Sequence, residues 1–105
     1  MTKIYNKLVR DCIPEIIEKS GATCKIRILS DEEYIEMIDA KLDEELLEYH
    51  TDKSIEELAD LLEVIYAATV ARGHTLDELE AIRAEKAENR GAFEKKILLL
   101  ETSDK

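Results

Sequence analysis

Between Lys41 and Ala71 the chain places acids where a helical protein ordinarily places apolar side chains. The stretch KLDEELLEYHTDKSIEELADLLEVIYAATVA holds two acidic pairs, Glu45 with Glu48 and Glu57 with Asp60, on either side of the polar break Thr51-Asp52-Lys53-Ser54. Residues three apart share a helix face, so each pair aims two carboxylates at one place. At about 100° per residue, Tyr34, Ile35, Ile38, Leu42, Leu46 and Tyr49 fall within an arc of roughly 120°. Glu45 lies near the middle of that arc, Glu48 at its edge, and Glu44 further toward solvent. An ionised carboxylate in a core is strongly disfavoured unless a cation compensates it. Two such helices packed antiparallel bring four carboxylates together, and the fold has to supply the compensation.

The second of these helices carries only Asp60 and Glu63 as charges between Leu58 and Ala71, so it is expected to be buried on more than one side. Leu58, Leu62, Ile65, Tyr66 and Thr69 form one side. Val64, Ala67, Ala68 and Ala71 form the other, continued by Glu57 and Asp60. Hard oxygen ligands gathered on packed surface suit Mg²⁺, with Mn²⁺ as the alternative. Two plainer readings compete. Ser54-x-x-Glu57 has the form of a capping box, which would turn Glu57 back to its own helix terminus. Glu45 or Asp60 could instead pair with a buried Arg or Lys.

The rest of the chain bounds the function. With 45% hydrophobic and 38% charged residues but only three Gly and one Pro, the composition is that of a single helical domain. The net charge of −10 argues against a nucleic-acid polymer or an acidic membrane as partner, so an anionic ligand needs a bridging cation or a local basic patch. Cys12 and Cys24, without a signal peptide, read as reduced structural thiols of a soluble cytoplasmic protein. There is no Gly-rich phosphate loop.

Four main helices are expected. The first runs from about Asp11 to Ser20, capped by Asp11, with Pro14 in its first turn and Gly21 after its end. Cys24 to Leu29 alternates like a short extended segment or edge strand. Ser30-Asp31-Glu32-Glu33 is a capping box opening a helix from Asp31 to about His50; the next spans about Ile55 to Arg72, with Gly73 following. Thr75-Leu76-Asp77-Glu78 opens a fourth helix, Leu76 to about Asn89, along which Arg83, Lys86 and Arg90 prolong the apolar stripe of Leu76 and Leu79. That basic stripe is placed to meet carboxylates or phosphates, or else to snorkel over the core beside nearby acids. Lys7 and Arg10 precede the first helix and read as solvated surface or ligand contacts. Residues 97–100 are expected to cover an apolar face, and a homodimer or dimer of dimers to complete the bundle.

These residues resemble a known family, the all-α nucleoside triphosphate pyrophosphohydrolases of the MazG type, in their short phosphoribosyl-ATP pyrophosphohydrolase-like branch. The resemblance rests on Glu44-Glu45-Leu46-Leu47-Glu48 and Glu57-Leu58-Ala59-Asp60, which match its E-E-x-x-E and E-x-x-D blocks. It also rests on Asn6-Lys7-Leu8-Val9-Arg10-Asp11 with Ile13-Pro14, and on Lys86 through Arg90-Gly91-Ala92-Phe93. Cys12 and Ala92 depart from the pattern, standing where Lys and a second Gly are expected. The resemblance implies Glu45, Glu48, Glu57 and Asp60 as Mg²⁺ ligands and hydrolysis of a nucleoside triphosphate to monophosphate and pyrophosphate. Glu44 is then the candidate for orienting or deprotonating the attacking water, and Lys86, Arg90, Lys7, Arg10 and Arg83 for neutralising the phosphates.

Base recognition stays open among Tyr5, Tyr34, Tyr49, Tyr66 and Phe93 as stacking partners. Non-standard nucleotides, dUTP, dCTP and phosphoribosyl-ATP are all compatible substrates. The competing reading from a different class is a non-catalytic helical dimerisation or interaction module whose acids only solvate its edge. A carboxylate-bridged di-iron bundle needs Glu-x-x-His pairs, which His50 and His74 do not supply.

Overall fold

Four helices follow one another in a computed structural model that describes residues 1–104: α1 (Ile13–Lys19), α2 (Asp31–Asp52), α3 (Ile55–Ala71) and α4 (Leu76–Arg90). The all-α class expected from the sequence is the one found, with no strand among the described residues. Cys24 to Leu29 therefore runs as unpaired chain, and the edge-strand reading of it fails for want of a neighbouring strand. Among the described residues no helix is long and apolar enough to cross a membrane.

Local chemistry fixes the helix ends. Ser30 Oγ accepts from the Glu33 amide at 3.2 Å while the Ser30 amide donates to Glu33 Oε1 at 3.3 Å, a complete capping box. Arg27 clamps the same carboxylate through two bonds of 3.1 and 3.0 Å. Held first by Arg27 and then by the Ser30 amide, the Glu33 carboxyl is lowered to about 2. Thr75 and Glu78 form a second complete box at the start of α4. At the end of α3, His74 N–H donates to Thr69 O at 3.1 Å and Gly73 N–H to Val70 O at 3.0 Å, a Schellman motif. That motif needs a positive φ at its closing residue, and Gly73 supplies it at +87°.

α1 departs from expectation. It begins at Ile13 with Cys12 in the cap position and no side-chain cap bond, so Asp11 does not cap it. A backbone turn, Ile13 N–H to Arg10 O at 3.1 Å, occupies the chain there instead and leaves the Asp11 side chain outside.

The joint between α2 and α3 is what positions the site. α2 continues two residues past the expected end, and the chain then reverses through Lys53 alone in the left-handed region (φ +56°) and Ser54 extended (ψ 159°). With so short a turn the last turns of α2 lie against the first turn of α3. Ser54 Oγ accepts from the Glu57 amide at 3.3 Å, but the return bond of a capping box is not made. The Glu57 carboxylate is thus released from its own helix terminus. Ser54→Ala is expected to lower stability by about 1 kcal/mol in urea unfolding, the usual cost of a lost N-cap, without moving the Glu57 side chain.

Among the described residues α2 and α3 form the only extensive helix pair, and α4 meets α3 alone. Between the paired helices Ile38 and Val64 are the buried apolar residues, 3% and 9% exposed. The radius of gyration is 18.7 Å, against about 13 Å for a compact chain of this length. Much apolar surface is accordingly uncovered. Leu58 and Leu62 on the outer side of α3 are over 40% exposed, and Phe93 and residues 97–100 cover nothing within the chain.

Candidate metal site

The hairpin brings the predicted acids together. Glu45, Glu57 and Asp60 each place one carboxylate oxygen within 4.8 Å of the others, and Glu44, Glu45 and Glu48 do the same. Glu45 belongs to both groups, so it is the vertex where the two acidic faces join. It is also the one buried charged residue among the described residues, 7% exposed, as its position in the middle of the apolar arc required. Its Oε2 and the Oε2 of Glu57 are both buried without a hydrogen-bond partner. Buried carboxylate oxygens normally have one, so these two are the oxygens of the cluster that the chain leaves without a partner.

Crowding and burial act together on the acids. Burial, then the neighbouring Glu48, pushes the Glu45 carboxyl above the usual range, and the same two causes push Glu57 up. Both favour a proton or a cation at the vertex over free charge.

Three basic residues lean on the cluster. Lys41, one turn before the acids on α2, lies 3.3 Å from Glu44 Oε2 and 3.5 Å from Glu45 Oε1. Lys7 Nζ donates to Glu44 Oε1 at 3.0 Å, and Arg10 Nη2 donates to Asp60 Oδ1 at 2.7 Å. The N-terminal lead is therefore laid over the site by residues 37 and 50 positions away from their partners, rather than hanging in solvent. Glu44 ends with both oxygens occupied. Burial alone pushes its carboxyl up, but hydrogen bonds from Lys7 and Lys41 outweigh that and hold it below the usual range. It is placed to orient a neighbour and is a weak proton acceptor.

The basic stripe of α4 is not part of this arrangement. Arg83 is turned onto Glu80 of its own helix, with Nε donating to Oε2 at 2.9 Å, and Lys86 and Arg90 stand exposed on α4. Within one chain the expectation that Arg83, Lys86 and Arg90 face the carboxylates is not met. α4 packs only on α3, whereas half of the cluster is on α2. Of the alternative, snorkelling over the core beside nearby acids, only the pairing of Arg83 with an acid is found, since Arg83 is exposed and α4 buries no residue. Lys41, in contrast, was missed as a site residue, although its spacing of three and four to Glu44 and Glu45 is the helical ion-pair signature.

A shallow groove of about 200 Å³ runs beside the cluster between the lead and the hairpin. Leu8 and Val9 form one wall, Tyr34 and Ala67 another, and Lys41 connects it to the acids. Tyr34 is the aromatic residue that lines this groove, about three helical turns along α2 from Glu45, and Lys41 is the lining residue that touches the acids.

Comparison with known proteins adds little to this geometry. No family model matches the chain, and no solved structure matches it. A stretch of 42 residues is 62% identical to part of an uncharacterized protein of Mycolicibacterium smegmatis, covering 40% of this chain and 43% of that protein. The chain thus matches less than half of that relative's length.

Proposed function

We propose that the protein is a divalent-metal-dependent nucleoside triphosphate pyrophosphohydrolase, of the MazG type that its acidic blocks resemble. One observation carries the reading: two partnerless buried oxygens, Glu45 Oε2 and Glu57 Oε2, inside a cluster of acids drawn from two helices. An acid cluster that merely solvated an edge would turn its oxygens outward to water. Here Lys41 offsets part of the burial cost of Glu45 through Oε1, but neither Oε2 has a partner from the chain, which is the condition under which a hard cation is bound.

The donor set is all carboxylate, which fits Mg²⁺ or Mn²⁺ and not a metal that selects thiolate or imidazole. Glu45, Glu48, Glu57 and Asp60 would hold the ion. When bound, it supplies charge for the phosphates and a lower pKa for an attacking water. Glu44, held by Lys41 through Oε2, orients groups at the edge of the site, the attacking water among them. Lys41 stays beside the acids and limits their mutual repulsion. The groove lined by Tyr34 offers the nucleoside a place against an aromatic ring.

The test is a pyrophosphate-release assay with Mg²⁺ across standard and modified nucleoside triphosphates and phosphoribosyl-ATP. Release from at least one of them is the expected result, and its ranking identifies the substrate class.

A second reading, a non-catalytic helical dimerisation module, is favoured by the uncovered apolar side chains of α3 and the tail. It expects no Mg²⁺ response from the wild-type protein, with Asp60→Asn and Glu45→Gln neutral or stabilising with or without the ion. A dimer by itself does not separate the two readings, since an enzyme with so small a core also gains from a second copy.

A further inference from the structure

On the reading of the cluster as a metal site that handles phosphates, we infer that Lys7 and Arg10 are exchangeable counter-ions. They neutralise Glu44 and Asp60 while no metal is bound, and turn to the phosphates of the ligand when a divalent cation takes over the acids.

Charge balance is the first support. Five carboxylates, Glu44, Glu45, Glu48, Glu57 and Asp60, meet three cations, Lys7, Arg10 and Lys41, and remain two charges short of neutrality. One divalent ion makes up that difference. A polyphosphate arriving with the ion adds negative charge again, and only cations able to leave the acids can answer it.

Placement is the second. Lys41 is fixed on α2 and is 19% exposed at its side chain, so it stays where it is. Lys7 and Arg10 are more than half exposed and sit on residues 1–10, which carry no helix or strand. Their side chains can swing without breaking any ladder of backbone bonds. Ion pairs this exposed are worth only about 0–1 kcal/mol, so exchanging them for phosphate contacts is cheap. Glu44 is the natural holding point, since it is the acid least exposed to solvent after Glu45 that is not in the Glu45, Glu57 and Asp60 group.

The exchange predicts effects of opposite sign in one variant. In Lys7→Gln/Arg10→Gln, free Mn²⁺ followed by loss of its solution EPR signal is expected to bind more tightly, about threefold or more for each positive charge removed. Inorganic tripolyphosphate added to the Mn²⁺-loaded variant is expected to bind more than about tenfold more weakly, the size of a lost charge-assisted hydrogen bond. Lys3→Gln is the control. Lys3 lies on the same lead, 5.0 Å over the Tyr5 ring, and its removal is expected to move neither affinity. The single variants Lys7→Gln and Arg10→Gln show the same pattern at smaller size and serve if the double variant unfolds.

Wild-type protein that takes up no Mn²⁺ overturns the metal-site reading and this inference with it. Wild type that binds Mn²⁺, with a double variant that binds it no more tightly, overturns the exchange alone. So does a variant in which both affinities fall together, since that marks Lys7 and Arg10 as supports of the fold, and so does a Lys3→Gln effect as large as theirs.

Discussion

Glu45→Gln is expected to abolish pyrophosphate release, by more than about a hundredfold, while leaving the metal-free protein at least as stable as the wild type. The loss follows from the vertex position of Glu45, whose oxygens belong to both acidic groups. Even outer partners of metal ligands cost about ten- to a hundredfold when removed, and a ligand shared by both groups costs more. The gain in stability has a separate cause. Burial and the charge of Glu48 disfavour an ionised group at this position, and glutamine has the same shape without the charge. Most active-site substitutions that destroy activity say little about why a residue is there. Here the two signs together do, because a structural acid would show the reverse in stability. Steady-state assay of pyrophosphate and thermal unfolding without metal measure the two halves.

The second large effect is on the wild type itself. Mg²⁺ at a hundred times its Kd is expected to add about 2.7 kcal/mol to the native state, raising the melting temperature by about 10 to 20 °C. Glu45→Gln and Asp60→Asn are expected to lose most of that response. Its dependence on pH is fixed by the direction of the shifts. Glu45 and Glu57 have carboxyls raised in the folded state, so the native protein takes up protons before the unfolded chain does. Metal-free stability therefore increases as the pH falls from 7 toward about 5. Over the same interval protons compete for the oxygens that hold the ion, and the Mg²⁺ increment shrinks. Below the ordinary carboxylate range of 4.5 the trend reverses, because Glu33, Glu44, Glu78 and Glu80 are lowered in the folded state and lose their partners as they protonate. Differential scanning calorimetry at several pH values, with and without Mg²⁺, measures both trends.

How much of this was legible in the sequence depended on whether the interaction was local. Helix ends set by a residue and its neighbours three positions away were read almost to the residue, as at Ser30 with Glu33, Thr75 with Glu78, and Gly73. The convergence of Glu45, Glu57 and Asp60 was legible for the same reason, since two helical periods and one tight turn determine it. Ser54 with Glu57 shows the limit of pattern. The spacing permits a full capping box, yet only the serine half forms, and the Glu57 side chain lies with the acids Glu45 and Asp60 instead.

The path of the irregular lead was not legible. Nothing in periodicity says that Lys7 and Arg10 will reach Glu44 and Asp60, since a segment without a repeating pattern is placed only by the contacts it finds. The basic stripe of α4 failed in a different way. Helical phase placed Arg83 on one side with the apolar residues, but Glu80 three positions earlier was an available partner and won. The same short-range rule, applied to Lys41, Glu44 and Glu45, would have found a cation that the site does use.

The claim that this cluster cleaves the bond between the α and β phosphates is tested most directly by ³¹P NMR of a turned-over nucleoside triphosphate in the presence of Mg²⁺. The expected products are a nucleoside monophosphate and inorganic pyrophosphate, in equal amounts and absent from a parallel sample of Glu45→Gln. A nucleoside diphosphate with orthophosphate, or unchanged triphosphates across the whole panel, would contradict it.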